Sequence, residues 1–592
     1  MTADISTLVT APPGNPVPAG SQRSRSGFDF SRLTLWVVVA FLLYQVIVPL
    51  AFLLWGSLKT SRPTDNDYLS LSLTLQNYTS ALGGVEFWRA MGNTVIYGTG
   101  ATVLSAVIGI ALAIVVARTD APFRGVVSTL TYVRIIIPGL LTAIAWVFLG
   151  SPKIGLLNGL WKNMTGSTEP LFDIYSMGGM IVAQGLDTFP LVFLTVVAAL
   201  KSMDPALEEA AFTSGKSLVY TFRRITMPMI RPAVVASCIL VFIHNLESFE
   251  VPLVLGLPIK TFVLSTEIFF KTTYVPSDYG AAGAYGVLLL LIALIGVYIY
   301  QRMTRRAYAY VTVSGKAFRP RTIELGRWRW PVGLASLFIV FVSVIMPTLV
   351  LVWASFMRFF QQPSMRAIES MSFANYALVF KNSTVLSGIQ NSLLLGIGSA
   401  TILVLFVSIV SWIVIRTKIP GRKALDFLAF VPQAVPSVLF GVAMLWLYLV
   451  IPLPIYGTLW VILLAYLTRY MPHGMRIISV GMLQFHPELE EAAYACGASW
   501  WRMFRKVLLP LLRPVIVTAW IWVMIHAFRE LAISAILSGP NTRTVGVAIY
   551  SLWTEGSFGL ISAFSVLIIL VLIVVSFAAE MIGRRFGVAG VR

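Results

Sequence analysis

Apolar residues along this chain come in runs of about 20 or more positions, and polar residues gather in the short stretches between them. A helix rises ~1.5 Å per residue, so each run covers the ~30 Å hydrocarbon layer of a bilayer. Only helices and closed barrels satisfy their backbone groups in lipid. Six runs lie near residues 33–56, 93–117, 127–150, 179–201, 232–254 and 282–302. Six more lie near 331–356, 391–415, 425–450, 458–482, 514–537 and 558–582. The pattern predicts an all-α integral membrane protein with twelve transmembrane helices.

Composition agrees: 57% of the 592 residues are hydrophobic and 12% are charged, against roughly 25% charge in soluble domains. The formal charge of +19 suggests nucleic acid at first sight. The Lys and Arg residues sit in short loops between the runs, however, where retention on the cytoplasmic side accounts for them. The bilayer is the expected partner, and no nucleic acid is. Cys238 and Cys496 lie in dissimilar contexts and offer no disulfide framework, and His244, His473, His486 and His526 have no metal-ligand spacing. Residues 1–32 read as a disordered cytoplasmic tail rich in Pro, Gly, Ser and Thr. The first run is too long for a signal peptide, and no small-residue cleavage site follows it. Arg23, Arg25 and Arg32 place the N-terminus in the cytoplasm, and an even number of spans returns the C-terminus there.

The two halves are copies. Pro49, Trp55 and Ser57 recur as Pro347, Trp353 and Ser355, each 298 residues later. The same offset carries Asn77-Tyr78 onto Asn375-Tyr376, Asn93 onto Asn391, Arg118 onto Arg416, Arg124 onto Arg422 and Pro138 onto Pro436. Further along the offset is 282, so the first half holds 298 − 282 = 16 extra residues, expected in the outer loop around Ser151 to Tyr175. An even number of spans per copy makes the six-helix repeats parallel rather than inverted. The expected domains are 33–302 and 331–592, joined by a basic cytoplasmic linker, 303–330, that contains Arg305, Arg306, Lys316, Arg319 and Arg321.

The sharpest motif follows the fourth run of each half, in loops 203–232 and 485–514. The first reads Leu207-Glu208-Glu209-Ala210-Ala211-Phe212-Thr213-Ser214-Gly215, then nine residues, then Ile225-Thr226-Met227-Pro228. The second reads Leu489-Glu490-Glu491-Ala492-Ala493-Tyr494-Ala495-Cys496-Gly497, then nine residues, then Val507-Leu508-Leu509-Pro510. Pro205 and Pro487 suit a first helical turn, and the glutamates complement its dipole. The alanines leave a small face, and glycine permits a sharp turn. A second amphipathic segment follows, which the prolines Pro228 and Pro510 are expected to end. A helix–turn–helix knob on the cytoplasmic side is the result. Identical spacing in two copies disfavours the simpler reading of amphipathic helices resting on lipid headgroups.

Both loops resemble the EAA motif of permease subunits in binding-protein-dependent (type I) ABC importers, and the resemblance covers nearly the whole chain. Met227 stands where Leu is usual and Val507 where Ile is usual. The resemblance implies that each knob is a coupling helix docking on an ABC ATPase, two copies of which would serve the fused halves. It assigns ATPase coupling to Glu208, Glu209, Ala210, Ala211, Gly215 and Pro228, and to Glu490, Glu491, Ala492, Ala493, Gly497 and Pro510. It also implies a periplasmic solute-binding protein and an inner-membrane location. The chain has no GxxxxGK[ST] loop; the Gly315-Lys316 pair is followed by Ala317 and has Tyr310 where the first glycine belongs. No cofactor is therefore expected in this chain, ATP and magnesium being held by the partner. No catalytic residue and no metal site are expected.

Polar groups in the fifth runs mark a possible translocation path: His244, Asn245, Glu247 and Glu250, with His526, Arg529 and Glu530. Ionisable groups within a membrane run point to function by default, although these could instead satisfy one another, Arg529 and Glu530 pairing with Glu247. Gln184, Asp187 and Arg134 read as packing residues. The fused halves, and the stretch Glu247 to Gly256, are similar to ferric-iron permeases, with thiamine, phosphonate and polyamine permeases as close alternatives. An ion-coupled secondary transporter is the rival of another class, but it would lack the paired knobs. A membrane-embedded enzyme would need a nucleophile–base pair or metal ligands, and none appears.

Overall fold

The computed structural model describes residues 30–65, 67–204, 206–307 and 322–585. The predicted tail up to residue 29, Pro205, and linker residues 308–321 with Gly315-Lys316 lie outside the described residues. The described chain is helical, with one isolated bridge between Thr119 and Ile323. Nine of its helices are long and apolar enough to cross a membrane, and three bent pairs raise the number to twelve if each is one span.

Two runs expected as straight spans are broken. Arg124–Ile136 meets Gly139–Gly150 at 108°, and Arg422–Ala434 meets Ser437–Val450 at 107°. The bends fall at the repeat-related Pro138 and Pro436. A proline ring removes an N–H and biases the preceding residue away from helical geometry. Both arms of each pair are apolar, so hydropathy alone merges them. The fifth runs also start and end earlier than expected from 232–254 and 514–537. Helices Met227–Leu246 and Leu509–Phe528 end just before Glu247 and Arg529. Short segments follow: Pro252–Ile259 and Leu264–Thr273, bent by 79°, and in the second half Ala532–Leu537 and Val545–Thr554.

The repeat recognised from spacing is a repeat of bonds. The Asn77 amide donates to the carbonyls of Ser57 and Lys59, at 3.0 and 2.7 Å, and Asn375 to those of Ser355 and Met357, at 2.9 and 2.8 Å. Asn93 donates to the Phe262 carbonyl at 2.9 Å, and Asn391 to those of Asn541 and Arg543. The loop expected to carry the extra residues holds the helix Leu156–Thr165, tied down by Asn158, whose amide donates to Gly150, Ser151 and Phe172.

The halves interlock. Phe30–Ser57 packs on Ser437–Val450 of the second half, and Met346–Ser355 packs on Gly139–Gly150 of the first. Each first span thus lies against the other half's broken third run. Trp446 is fully buried at one of these contacts, against Gly56 and Gly283 of the first half. Tyr44 donates to Tyr448 at 3.1 Å across the same seam. Lipid offers little hydrophobic drive between helices, so close packing at small residues and buried hydrogen bonds hold such seams. The end of the linker returns to the first half: Ile323 N–H donates to the Arg118 carbonyl at 2.7 Å, and Leu325 N–H to Asp120 at 3.0 Å.

Candidate functional site

The two knobs are the eight-residue helices Ala206–Thr213 and Glu488–Ala495. Each closes on a glycine with left-handed φ, +71° at Gly215 and +75° at Gly497. Lys216 N–H then bonds the Ala211 carbonyl, and Ala498 N–H the Ala493 carbonyl, both at 3.0 Å. This is a glycine-terminated helix end in which two otherwise unpaired carbonyls find donors.

Neighbouring glutamates on these helices point different ways, because successive residues turn by about 100°. Glu209 and Glu491 are exposed, as are Ala210 and Ala492; Ala211 is buried and Ala493 half-buried. Glu208 and Glu490, which the resemblance grouped with Glu209 and Glu491 for ATPase coupling, are buried against the chain's own long helices. Glu208 binds Arg118 at 3.0 Å and accepts from the Thr226 hydroxyl at 2.6 Å. Glu490 binds Arg416 at 2.9 Å and accepts from the Trp412 indole at 2.8 Å. Arg118 and Arg416 end the helices Val85–Arg118 and Ser383–Arg416. The same carboxylate–guanidinium joint thus recurs, with a different second donor in each half. Burial and then Glu490 push the nearby Tyr494 hydroxyl above its ordinary value, so it stays protonated.

Pro228 and Pro510 do not end the second limb of the knob, as sequence suggested. A π-turn, Phe222–Thr226 or Phe504–Leu508, leads into one continuous helix through each proline. In the π-turn the hydrogen-bond register shifts by one residue, which lets a residue without N–H follow while the helix continues.

A second candidate site is a cavity of ≈ 180 Å³ between the halves. His244, Glu247, Glu250, His526, Arg529 and Glu530 line it, so six of the seven predicted path residues converge. Asn245 does not; it is fully buried, accepting from Gln184 at 2.9 Å and donating to Thr102 at 3.1 Å. Gln184 and Asp187, read as packing, line the cavity too, and Arg134 pairs with Asp187. Glu247 does not pair with Arg529 or Glu530. Its partner is Arg469, at 3.1 Å, a residue sequence reasoning passed over. One signal was available: at offset 282 Arg469 stands opposite Asp187, an exchange of charge at equivalent positions. Glu530 instead accepts from the backbone N–H groups of Ile533 and Ser534 at 2.8 and 3.1 Å. His526 stacks on Trp522, which stacks on His473, whereas His244 is 50% exposed. Among the described residues no cluster of three His, Cys, Asp or Glu side chains is placed to hold a metal ion.

Residues 105–307 and 415–588 each match the model of the binding-protein-dependent transport system inner membrane component. The chain belongs to that family. It is similar to the ferric transport system permease protein FbpB of Actinobacillus pleuropneumoniae, 29% identical over 415 residues. That alignment takes in 69% of this chain and 59% of that protein, so this chain spans about three fifths of its relative's length. It is also similar to an Fe(3+)-transport system permease protein of Haemophilus influenzae, 23% identical over 69% of this chain and 76% of that protein. The spermidine/putrescine transport system permease protein PotC of Escherichia coli is 23% identical over 35% of this chain and 78% of its own. Among solved structures, a bacterial ABC transporter involved in the import of alginate aligns with 47% of this chain and 95% of its own, at 20% identity and a TM-score of 0.38.

Proposed function

We propose that this chain is the membrane-spanning subunit of an ATP-driven importer, two fused six-span units enclosing the path of a small solute. The observation that carries the reading is the paired knob: two short helices with the same glycine end, the same exposed Glu-Ala face and the same buried Arg–Glu joint. Exposed Glu209 and Glu491 fit contact with a cytoplasmic ATPase, one subunit per knob, which would hold ATP and magnesium. When that ATPase dimer closes, the knobs approach, and each buried joint passes the movement into a long helix. The halves then tilt and open the cavity toward a periplasmic binding protein. Similarity to ferric transport permeases makes ferric iron the preferred solute, and similarity to PotC keeps a polyamine as the alternative.

The test is co-purification of the detergent-solubilised chain with its cognate ATPase. About two ATPase subunits per chain are expected for the wild type, and their loss on Glu209→Arg/Glu491→Arg, since like-charge or unpaired contacts at an interface cost several kcal/mol. If no ATPase binds under any condition, the importer reading falls and an ion-coupled carrier replaces it.

A further inference from the structure

Each bend at Pro138 and Pro436 leaves backbone carbonyls without helical partners, and arginines bind them: Arg134 donates to the Ile137 carbonyl at 3.3 Å within the first half, and two arginines of the second half supply the rest. Arg469 Nη1 donates to the carbonyls of Pro432 and Val435 at 3.2 and 2.8 Å. Its Nη2 reaches across the cavity to Glu247 of the first half, 3.1 Å from Oε1 and 3.4 Å from Oε2. Arg529 crosses likewise and donates to the Ile135 carbonyl at the first half's bend. At two repeat-related positions, Asp187/Arg469 and Glu247/Arg529, the first half carries a carboxylate and the second a guanidinium.

The cavity's other acids are engaged within their own half. Asp187 pairs with Arg134, Glu530 caps the Ala532–Leu537 helix, and Glu250 lies against Gly139 at the start of Gly139–Gly150. Of these four carboxylates, Glu247 is the one in a close ion pair with a guanidinium of the opposite half, whereas Glu250 feels the charge of Arg529 across the cavity at longer range. Its remaining charged neighbour is His244, 3.8 Å away.

We propose that Glu247–Arg469 is an exchangeable lock across the cavity, and that a cationic solute replaces Arg469 on Glu247 when the halves part. This rests on the importer reading above. Arg469 has two carbonyl partners in its own half and stays on that wall as the halves separate. Glu247 is then left facing the widened cavity beside His244, and an unpaired carboxylate in a low-dielectric site is costly. A cation arriving there relieves the cost and favours the open form, as any ligand favours the state that binds it better. The two arginines on the opposite wall repel the same cation, so it travels along the first half.

The test uses the full chain with its cognate ATPase and binding protein in liposomes, comparing Glu247→Gln, Arg469→Gln and the exchanged pair Glu247→Arg/Arg469→Glu. The readouts are ATP hydrolysis without binding protein and uptake of ferric ion from the loaded binding protein. Loss of the lock removes resistance to opening, so hydrolysis rises about fivefold or more in both single variants and falls back in the exchanged pair. Uptake drops about tenfold or more in Glu247→Gln but stays within about threefold of wild type in Arg469→Gln, which keeps the carboxylate. Unchanged hydrolysis in the variants overturns the lock. Equal losses of uptake in both single variants, or a greater loss in Arg469→Gln, overturn the cation site. If Arg469→Gln does not assemble, Glu247→Gln, which leaves the carbonyl contacts of Arg469 in place, still tests the lock. If the wild-type complex hydrolyses ATP but takes up no ferric ion, the iron reading fails, and the hydrolysis readout still decides the lock.

Discussion

Glycine at position 139 has a consequence that its repeat partner reveals. The Glu250 carboxylate lies where a Cβ on Gly139 would stand, against the first turn of Gly139–Gly150. In the second half the equivalent residues are Ser437 and Ala532: where the side chain grows on one helix, it shrinks on the other. Gly139→Ser alone is expected to displace Glu250 from the helix end and lower stability by ~1 kcal/mol, the usual worth of such a cap. Gly139→Ser/Glu250→Ala, which copies the second half, is expected to recover most of it. The thermal midpoint of the detergent-solubilised protein checks both; equal losses in the single and double variants would refute the pairing. Sequence grouped Glu250 with the other polar groups of the fifth runs, and the cavity includes it. Which backbone it lies against was illegible, because the two residues are 111 apart (250 − 139) and meet only through the fold.

The knob and its joint belong to the scale of elements. The helix, its glycine end and its repetition could all be read from residue types at fixed spacing, because a helix end is a local event. The burial of Glu208 and Glu490 could not be read in the same way. Their direction depends on where the long helices ending at Arg118 and Arg416 come to rest. Arg118→Gln leaves a buried carboxylate without its charge partner and is expected to cost ~3 kcal/mol, while Arg118→Met/Glu208→Leu recovers most of that. If the joint transmits movement, the double variant remains folded yet spends more ATP per solute imported than wild type. A wild-type ratio of hydrolysis to transport would show that the joint only holds the knob in place. Proline was misread at this scale. Pro228 and Pro510 are helix breakers by propensity, but a π-turn before each one absorbs the missing N–H. At Pro138 and Pro436 no π-turn intervenes, and the chain bends by more than 100°.

At the scale of the whole molecule, the halves are held by exchanged first spans and by the polar contacts across the cavity. Trp446 wedges into the small-residue surface formed by Gly56 and Gly283 of the other half. Trp446→Ala is expected to cost ~3 kcal/mol through the void it leaves, read as a lower thermal midpoint. A loss under about 1 kcal/mol would mean that the seam collapses to fill the space. The sequence by itself determined that this is a helical membrane protein built of two copies, with a paired motif and ionisable groups in its fifth runs. Those properties follow from local run length and from residue identity at constant offsets, which need no knowledge of contacts. Only the tertiary structure decided that each first span lies on the opposite half, that the third runs are bent, and that Glu247 meets Arg469. These are contacts between residues hundreds of positions apart. Two repeat-related halves offer side chains equivalent positions in either copy, and packing selects between them.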